Sequence, residues 1–112
     1  MQAEDRIRLQ HMIEAAQTAA KFMAGRQRGD LDRDQLLLFA VVRAIEIVGE
    51  AATRVSAETR AATPQVPWPA IIGMRNRVVH AYFSIDRDIV WNTVTIELPG
   101  LLPALQAALD PA

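Results

Sequence analysis

The chain has 112 residues, 51% apolar and 22% charged, which is the composition of one folded domain and excludes a disordered chain. Its 12 basic and 13 acidic residues leave a net charge of −1, so bulk charge is not its means of holding nucleic acid. The absence of cysteine removes disulfides, thiolate metal sites and thiol nucleophiles.

The first ten residues, MQAEDRIRLQ, carry charge where a signal peptide needs an apolar run. The longest strongly apolar run, Leu36 to Val42, is far short of a membrane span. A soluble, cytoplasmic protein with no membrane partner is expected. Eleven of the basic residues are Arg and one is Lys21, an excess that coding bias alone can produce.

Residues 4–24 place Ile7, Met12, Ile13, Ala16, Ala20 and Met23 at helical spacing, which predicts an amphipathic first helix ending near Gly25. GRQRGDLDRD then reads as a loop. Asp32 or Asp34 can cap a second helix that runs without proline to about Ala62. Its opening, LLLFAVV, is apolar almost all round and predicts a buried spine. Further along, Ile45, Val48, Ala52 and Val55 take one face, while Arg43, Glu46 and Glu50 take another. Gly49 offers a place for helices to approach closely.

Thr63-Pro64 stops that helix, and Pro69 suits the first turn of a third, expected from Ala70 to about Tyr82. Asp86 can cap a fourth helix carrying Ile89, Val90, Trp91, Val94 and Ile96. A short last helix begins at Pro99, and its Leu101, Leu102, Leu105 and Leu109 should pack back on the bundle. TVTIEL comes nearest to strand alternation but is outvoted by its helical neighbours. The expected fold is an all-α bundle of about four to five helices, a single domain over residues 1–112.

His11 reads as an ordinary helix-surface residue. His80 stands out through its neighbours Arg75, Asn76, Arg77 and Tyr82. If the helix continues, Asn76 and His80 share a face, whereas Arg75 is about 140° from His80. A guanidinium, an amide, an imidazole and a phenol then lie on one broad arc. Arginine grips phosphate and imidazole moves protons near neutrality, a set suited to metal-free phosphodiester chemistry. On spacing alone, a structural reading of the same residues outweighs this one. The carboxylates nearest His80 in sequence, Asp86 and Asp88, have no ligating spacing, so neither metal nor cofactor is expected.

The segments LLLFAVVRAIEIVGEAATRVS, PWPAIIGMRNRVVHAYFSID and IVWNTVTIELPGLLPAL resemble the HepT-type HEPN proteins, from about residue 36 to residue 106. The central element is R-x4-H-x-Y, here Arg75, His80 and Tyr82. The resemblance implies a homodimeric all-α HEPN fold with the motifs facing each other near the twofold axis. It implies a type VII toxin, a metal-independent ribonuclease with tRNA a common target. Its partner would be a minimal nucleotidyltransferase (MNT) antitoxin that attaches AMP to Tyr82. Arg75 would hold the scissile phosphate and His80 would be the general acid or base. Asn76 either orients the phosphate or His80 or makes a plain helix hydrogen bond. Glu46, amid apolar neighbours on the spine, needs a partner: pairing with Arg75 would support the site, and a purely structural pair, which outweighs it, is the alternative. Arg77 reads as a salt-bridge or RNA-backbone residue, and Trp68 and Trp91 as core or dimer anchors. The alternative is a non-catalytic helical partner of a nucleotidyltransferase.

Overall fold

A computed structural model of the chain describes residues 1–81 and 84–110, with backbone alone for residues 80 and 81. The first helix, α1 (Ala3–Met23), buries Leu9, Met12, Ile13, Ala15, Ala16, Ala19 and Met23. Ile7 and Ala20 are exposed, contrary to the sequence expectation. At ~100° per residue the nine positions between Ile7 and Ala16 turn through about 180°, which puts Ile7 opposite the core. A carboxylate lies in the buried stripe instead, because Asp5 is only 3% exposed.

The predicted loop after α1 contains a helical turn, α2 (Asp30–Arg33), whose Leu31 is buried. Asp34 then caps α3 (Gln35–Thr53), accepting from the Leu37 amide at 3.0 Å. α3 is the spine, packed by α1 on one side and α5 on another. Its apolar opening is not buried all round: Leu36 is 81% and Phe39 54% exposed.

The spine stops at Thr53 and does not run on to Ala62. A second short helix, α4 (Ala57–Ala62), restarts beyond a turn. The cause is Asp5. Its carboxylate accepts from the Ser56 amide at 3.0 Å, the Ser56 hydroxyl at 2.7 Å and the Thr59 hydroxyl at 2.6 Å. Ser56 also takes the N-cap of α4, accepting from the Thr59 amide at 3.2 Å. One buried carboxylate therefore ties the start of α1 to the start of α4. These bonds favour the charged form and hold Asp5 below the usual aspartate range, Thr59 and Ser56 being the largest causes.

α5 (Trp68–Val78) has its proline in the first turn, as expected, and buries Trp68, Ile71, Met74 and Val78. The Trp68 indole N–H donates to the Thr63 hydroxyl at 3.2 Å. A methyl added at Gly49 would meet Ile71 O at 3.6 Å, an ordinary contact. The backbones of α3 and α5 do come near each other there, but alanine would fit.

The third helix ends at Val78, four residues before Tyr82. Val79 has φ −119° and ψ 104°, and β1 (Val79–Ala81) pairs antiparallel with β2 (Ser84–Ile85) in an irregular register. The β-branched pair Val78-Val79 favours this departure, and the Asp86 amide closes the hairpin on Val78 O at 2.8 Å. Asp86 caps α6 (Arg87–Asn92), accepting from the Ile89 amide at 3.1 Å.

No break occurs at Pro99. A π-helical turn, Thr93–Glu97, joins α6 to α7 (Leu98–Leu109). The wide turn ends at Glu97, and Pro99 falls in the first turn of α7, where a residue without an N–H is tolerated. Leu105 is fully buried, and Leu101, Leu102 and Leu109 pack partly buried on the core. The architecture is an all-α bundle of seven helices with one two-stranded hairpin among the described residues, more pieces than the four to five expected.

Asp5→Ala leaves the Ser56 amide and the buried Thr59 hydroxyl without their acceptor and should cost about 2–3 kcal/mol in chemical denaturation. Because the folded pKa is depressed, the stability from the charged form is present above 3.8 and lost as pH falls below it. The thermal midpoint of the wild type should therefore fall below pH 3.8 more steeply than that of Asp5→Asn; parallel curves would show that the carboxylate is not the anchor.

Candidate active site

The motif begins on the last turn of α5, where Arg75 and Asn76 are exposed. The Arg75 Nε lies 3.5 Å from Glu46 Oε2, and its Nη1 donates to Asn76 Oδ1 at 3.4 Å. Glu46 comes from the middle of α3, half-buried between the apolar and polar faces of the spine. Arg43 is not its partner. That guanidinium reaches along the helix to Glu50 Oε1 at 3.5 Å, which leaves Glu46 to Arg75.

Three of the expected site residues, Arg75, Asn76 and Glu46, thus meet at the junction of α3 and α5. A guanidinium has five N–H donors. Two of its nitrogens are engaged, and the side chain is 47% exposed, so donors remain for an anion arriving from solvent.

His80 is on β1, beyond the end of α5. The helical arc that would put Asn76 and His80 on one face therefore does not apply, because the backbone leaves the helix between them. The side chain of His80, and Tyr82 as a whole, lie outside the described residues. Arg77 turns elsewhere, to Glu97 Oε1 and Ala70 O, both at 3.2 Å, as a salt-bridge residue should. His11 is exposed on α1. Among the described residues no group of three or more His, Asp or Glu is placed to hold a metal ion, and no helix is long and apolar enough to cross a membrane.

Two charge arrangements escape the sequence pattern. One is the Asp5 anchor. The other is a chain of alternating charges, Asp88, Arg28, Asp32 and Arg87, linking the α1–α2 connection to the start of α6. Arg28 and Asp88 are 60 positions apart, and nothing local marks them as partners.

Residues 12–108 match the family described as Ribonuclease HepT-like. A provisionally named RNase of Caldanaerobacter subterraneus subsp. tengcongensis is 34% identical over 93 residues, covering 83% of each chain. One from Methanocaldococcus jannaschii is 32% identical over 93 residues, 83% of this chain and 85% of that protein. A provisionally assigned ribonuclease HepT of Thermococcus cleftensis is 38% identical over 68 residues, 61% of this chain and 62% of that protein. No solved structure matches the chain. A family match over nearly the whole chain, with relatives above 30% identity across most of both partners, agrees with the R-x4-H-x-Y motif in its helical setting: the chain belongs to the HepT-like ribonucleases.

Proposed function

We propose that this ribonuclease is the toxin of a type VII toxin–antitoxin pair, acts in the cytoplasm as a metal-independent RNA endonuclease, and is silenced by AMP on Tyr82. The observation that carries the reading is Arg75: an exposed guanidinium steadied by Glu46 and Asn76, with donors to spare, five residues before His80.

In this mechanism the RNA 2′-oxygen attacks the adjacent phosphorus. His80 takes the 2′-hydroxyl proton, the bond from phosphorus to the 5′-oxygen breaks, and an imidazolium returns a proton to that oxygen. The products are a cyclic phosphate and a free 5′-hydroxyl. Arg75 meets the charge that builds on the phosphate oxygens. Asn76 and Glu46 keep the guanidinium from swinging away.

A homodimer supplies two histidines, one for each proton transfer. Leu36, Phe39 and Phe22, 81%, 54% and 43% exposed, leave an apolar face on α3 and α1 that a second copy would cover. Phe39, Arg43 and Glu46 follow one stripe of α3, so a twofold on this face passes near the site.

Silencing is a nucleotidyl transfer by a minimal nucleotidyltransferase partner. The Tyr82 oxygen attacks the α-phosphorus of ATP, its proton is lost and pyrophosphate leaves. The new phosphate, two residues from His80 and seven from Arg75, competes for the guanidinium, and the adenosine obstructs RNA. The RNA target is read only as far as its class, with tRNA the first to try.

His80→Ala should lower RNA cleavage by about 10²–10⁴-fold and Arg75→Ala by about 10²-fold or more, with circular dichroism unchanged. Cleavage should persist in EDTA; loss in EDTA restored by added metal would overturn the mechanism. If the wild type cuts no RNA but binds the nucleotidyltransferase, the non-catalytic reading takes its place.

Sedimentation at micromolar concentration should show a dimer that Phe39→Glu converts to monomer. A wild-type monomer that still cuts RNA would remove the two-histidine scheme.

Incubation with the cognate nucleotidyltransferase and ATP should add one or more AMP masses at Tyr82, and Tyr82→Phe should escape both the modification and the silencing. AMP on another residue, or silencing without any AMP, would sink the regulatory part.

A further inference from the structure

We propose that Arg28 is a positioning residue of the active site, holding the hairpin that carries His80 in place relative to Arg75; this rests on the reading of those two residues given above. Arg28 belongs to the connection between α1 and α2, remote in sequence from the motif. Its Nε and Nη2 both reach Asp88 Oδ1 at 2.7 Å, and its Nη1 lies 3.1 Å from Asp32 Oδ2. Arg87 Nε stands 3.7 Å from the other oxygen of Asp32. The four charges alternate in sign, and two of them, Arg87 and Asp88, are the first residues of α6, immediately after the hairpin and its capping Asp86.

The hairpin needs such an anchor. Strands of three and two residues in irregular register do not hold themselves in water. The upstream end is fixed by buried Val78 and by the Arg75–Glu46 pair. The downstream end has the Asp86 amide on Val78 O, the Asp86 cap, and the Arg28 ties. The Arg28 ties join that end to the first half of the chain at the surface, beside the Arg87–Asp32 pair and above Val90, which is buried in the core.

Isolated ion pairs at this exposure, 33% for Arg28 and 85% for Asp88, add little to global stability. Their leverage is geometric. They fix where α6 begins, and so where β2 and its partner strand β1 lie. A misplacement of reacting groups by an ångström is costly in rate even when the fold is intact.

The test uses the full chain as Arg28→Gln, Asp88→Asn, the double variant and Arg28→Lys. Two readouts are taken: cleavage kinetics on tRNA, and hydrogen exchange of the peptides containing β1 and β2. Each neutral single variant should lower kcat about tenfold with KM within about twofold, the scale of a small misplacement, and should speed exchange in the hairpin. The thermal midpoint should barely move. The double variant should be no worse than the poorer single, because both remove one tie. Arg28→Lys, which keeps the charge and loses the fork, should fall between. Unchanged kcat and exchange in Arg28→Gln, with a wild type that cuts RNA, would overturn the inference and leave the ribonuclease reading standing. Additive losses that track a falling thermal midpoint would also overturn it, by showing a merely structural role. If the wild type itself does not cut, the catalytic reading fails, and exchange alone decides whether Arg28 holds the hairpin.

Discussion

The structure depends on the burial of α3. Its apolar positions 37, 38, 41, 42, 45 and 48 are covered by neighbours on more than one side, so α1 and α5 must both pack on it. Small residues set how closely they do so. Ala15, Ala16 and Ala19 of α1 and Ala44, Ala51 and Ala52 of α3 are all buried among larger side chains such as Met12 and Val48, and small residues of this kind permit close packing. Burying such surface gains roughly 25 cal/mol per Å² and dwarfs what any single surface ion pair adds. The polar groups of the fold are arranged around this seam.

That arrangement decides the chemistry. The stripe of α3 left uncovered carries Arg43, Glu46 and Glu50, and the pairing within it is selective. Arg43 with Glu50 removes two charges, leaving one carboxylate at the level where α5 delivers Arg75. Arg75, at the end of its helix, is held by Glu46 and Asn76 and still half exposed, with its direction set by the spine; the proposed grip on phosphate rests on that placement. The same uncovered stripe begins with Leu36 and Phe39, so the exposed apolar surface and the Glu46–Arg75 pair are neighbours along one helix.

The change of backbone at Val78 has its own consequence. A helix continued to residue 82 would space the motif at fixed angles around one axis. Leaving the helix after Val78 frees His80 from that geometry and hands its placement to the hairpin closure and to the start of α6. Ion pairs between groups distant in sequence stand on both sides of the hairpin, Arg75 with Glu46 before it and Arg28 with Asp88 after it.

The sequence by itself determined what is local. Asp34 and Asp86 cap helices because a short side-chain oxygen reaches an amide three residues on, whatever surrounds it. Pro69 sits in a first turn because its ring forbids most alternatives. The R-x4-H-x-Y motif was legible as a string, and so was Arg77 as a pairing residue. The Glu46–Arg75 pair was legible as well, because a half-buried carboxylate on an apolar helix demands a cation. Tertiary structure alone decided the rest. Helical periodicity tolerated Ile7 as core and gave no reason to bury Asp5. Only the arrival of Ser56 and Thr59 makes that burial favourable and breaks the spine at residues 54–56. The end of α5 at Val78 belongs to both levels, since the β-branched Val78-Val79 pair favours it locally and the hairpin closure on Val78 O completes it. Tertiary structure also inserted the π turn at Thr93–Glu97 ahead of α7 and brought Arg28 to Asp88. Each of these costs free energy locally and is offset by partners elsewhere in the chain, so no window of sequence short of the folded whole contains both sides of the balance.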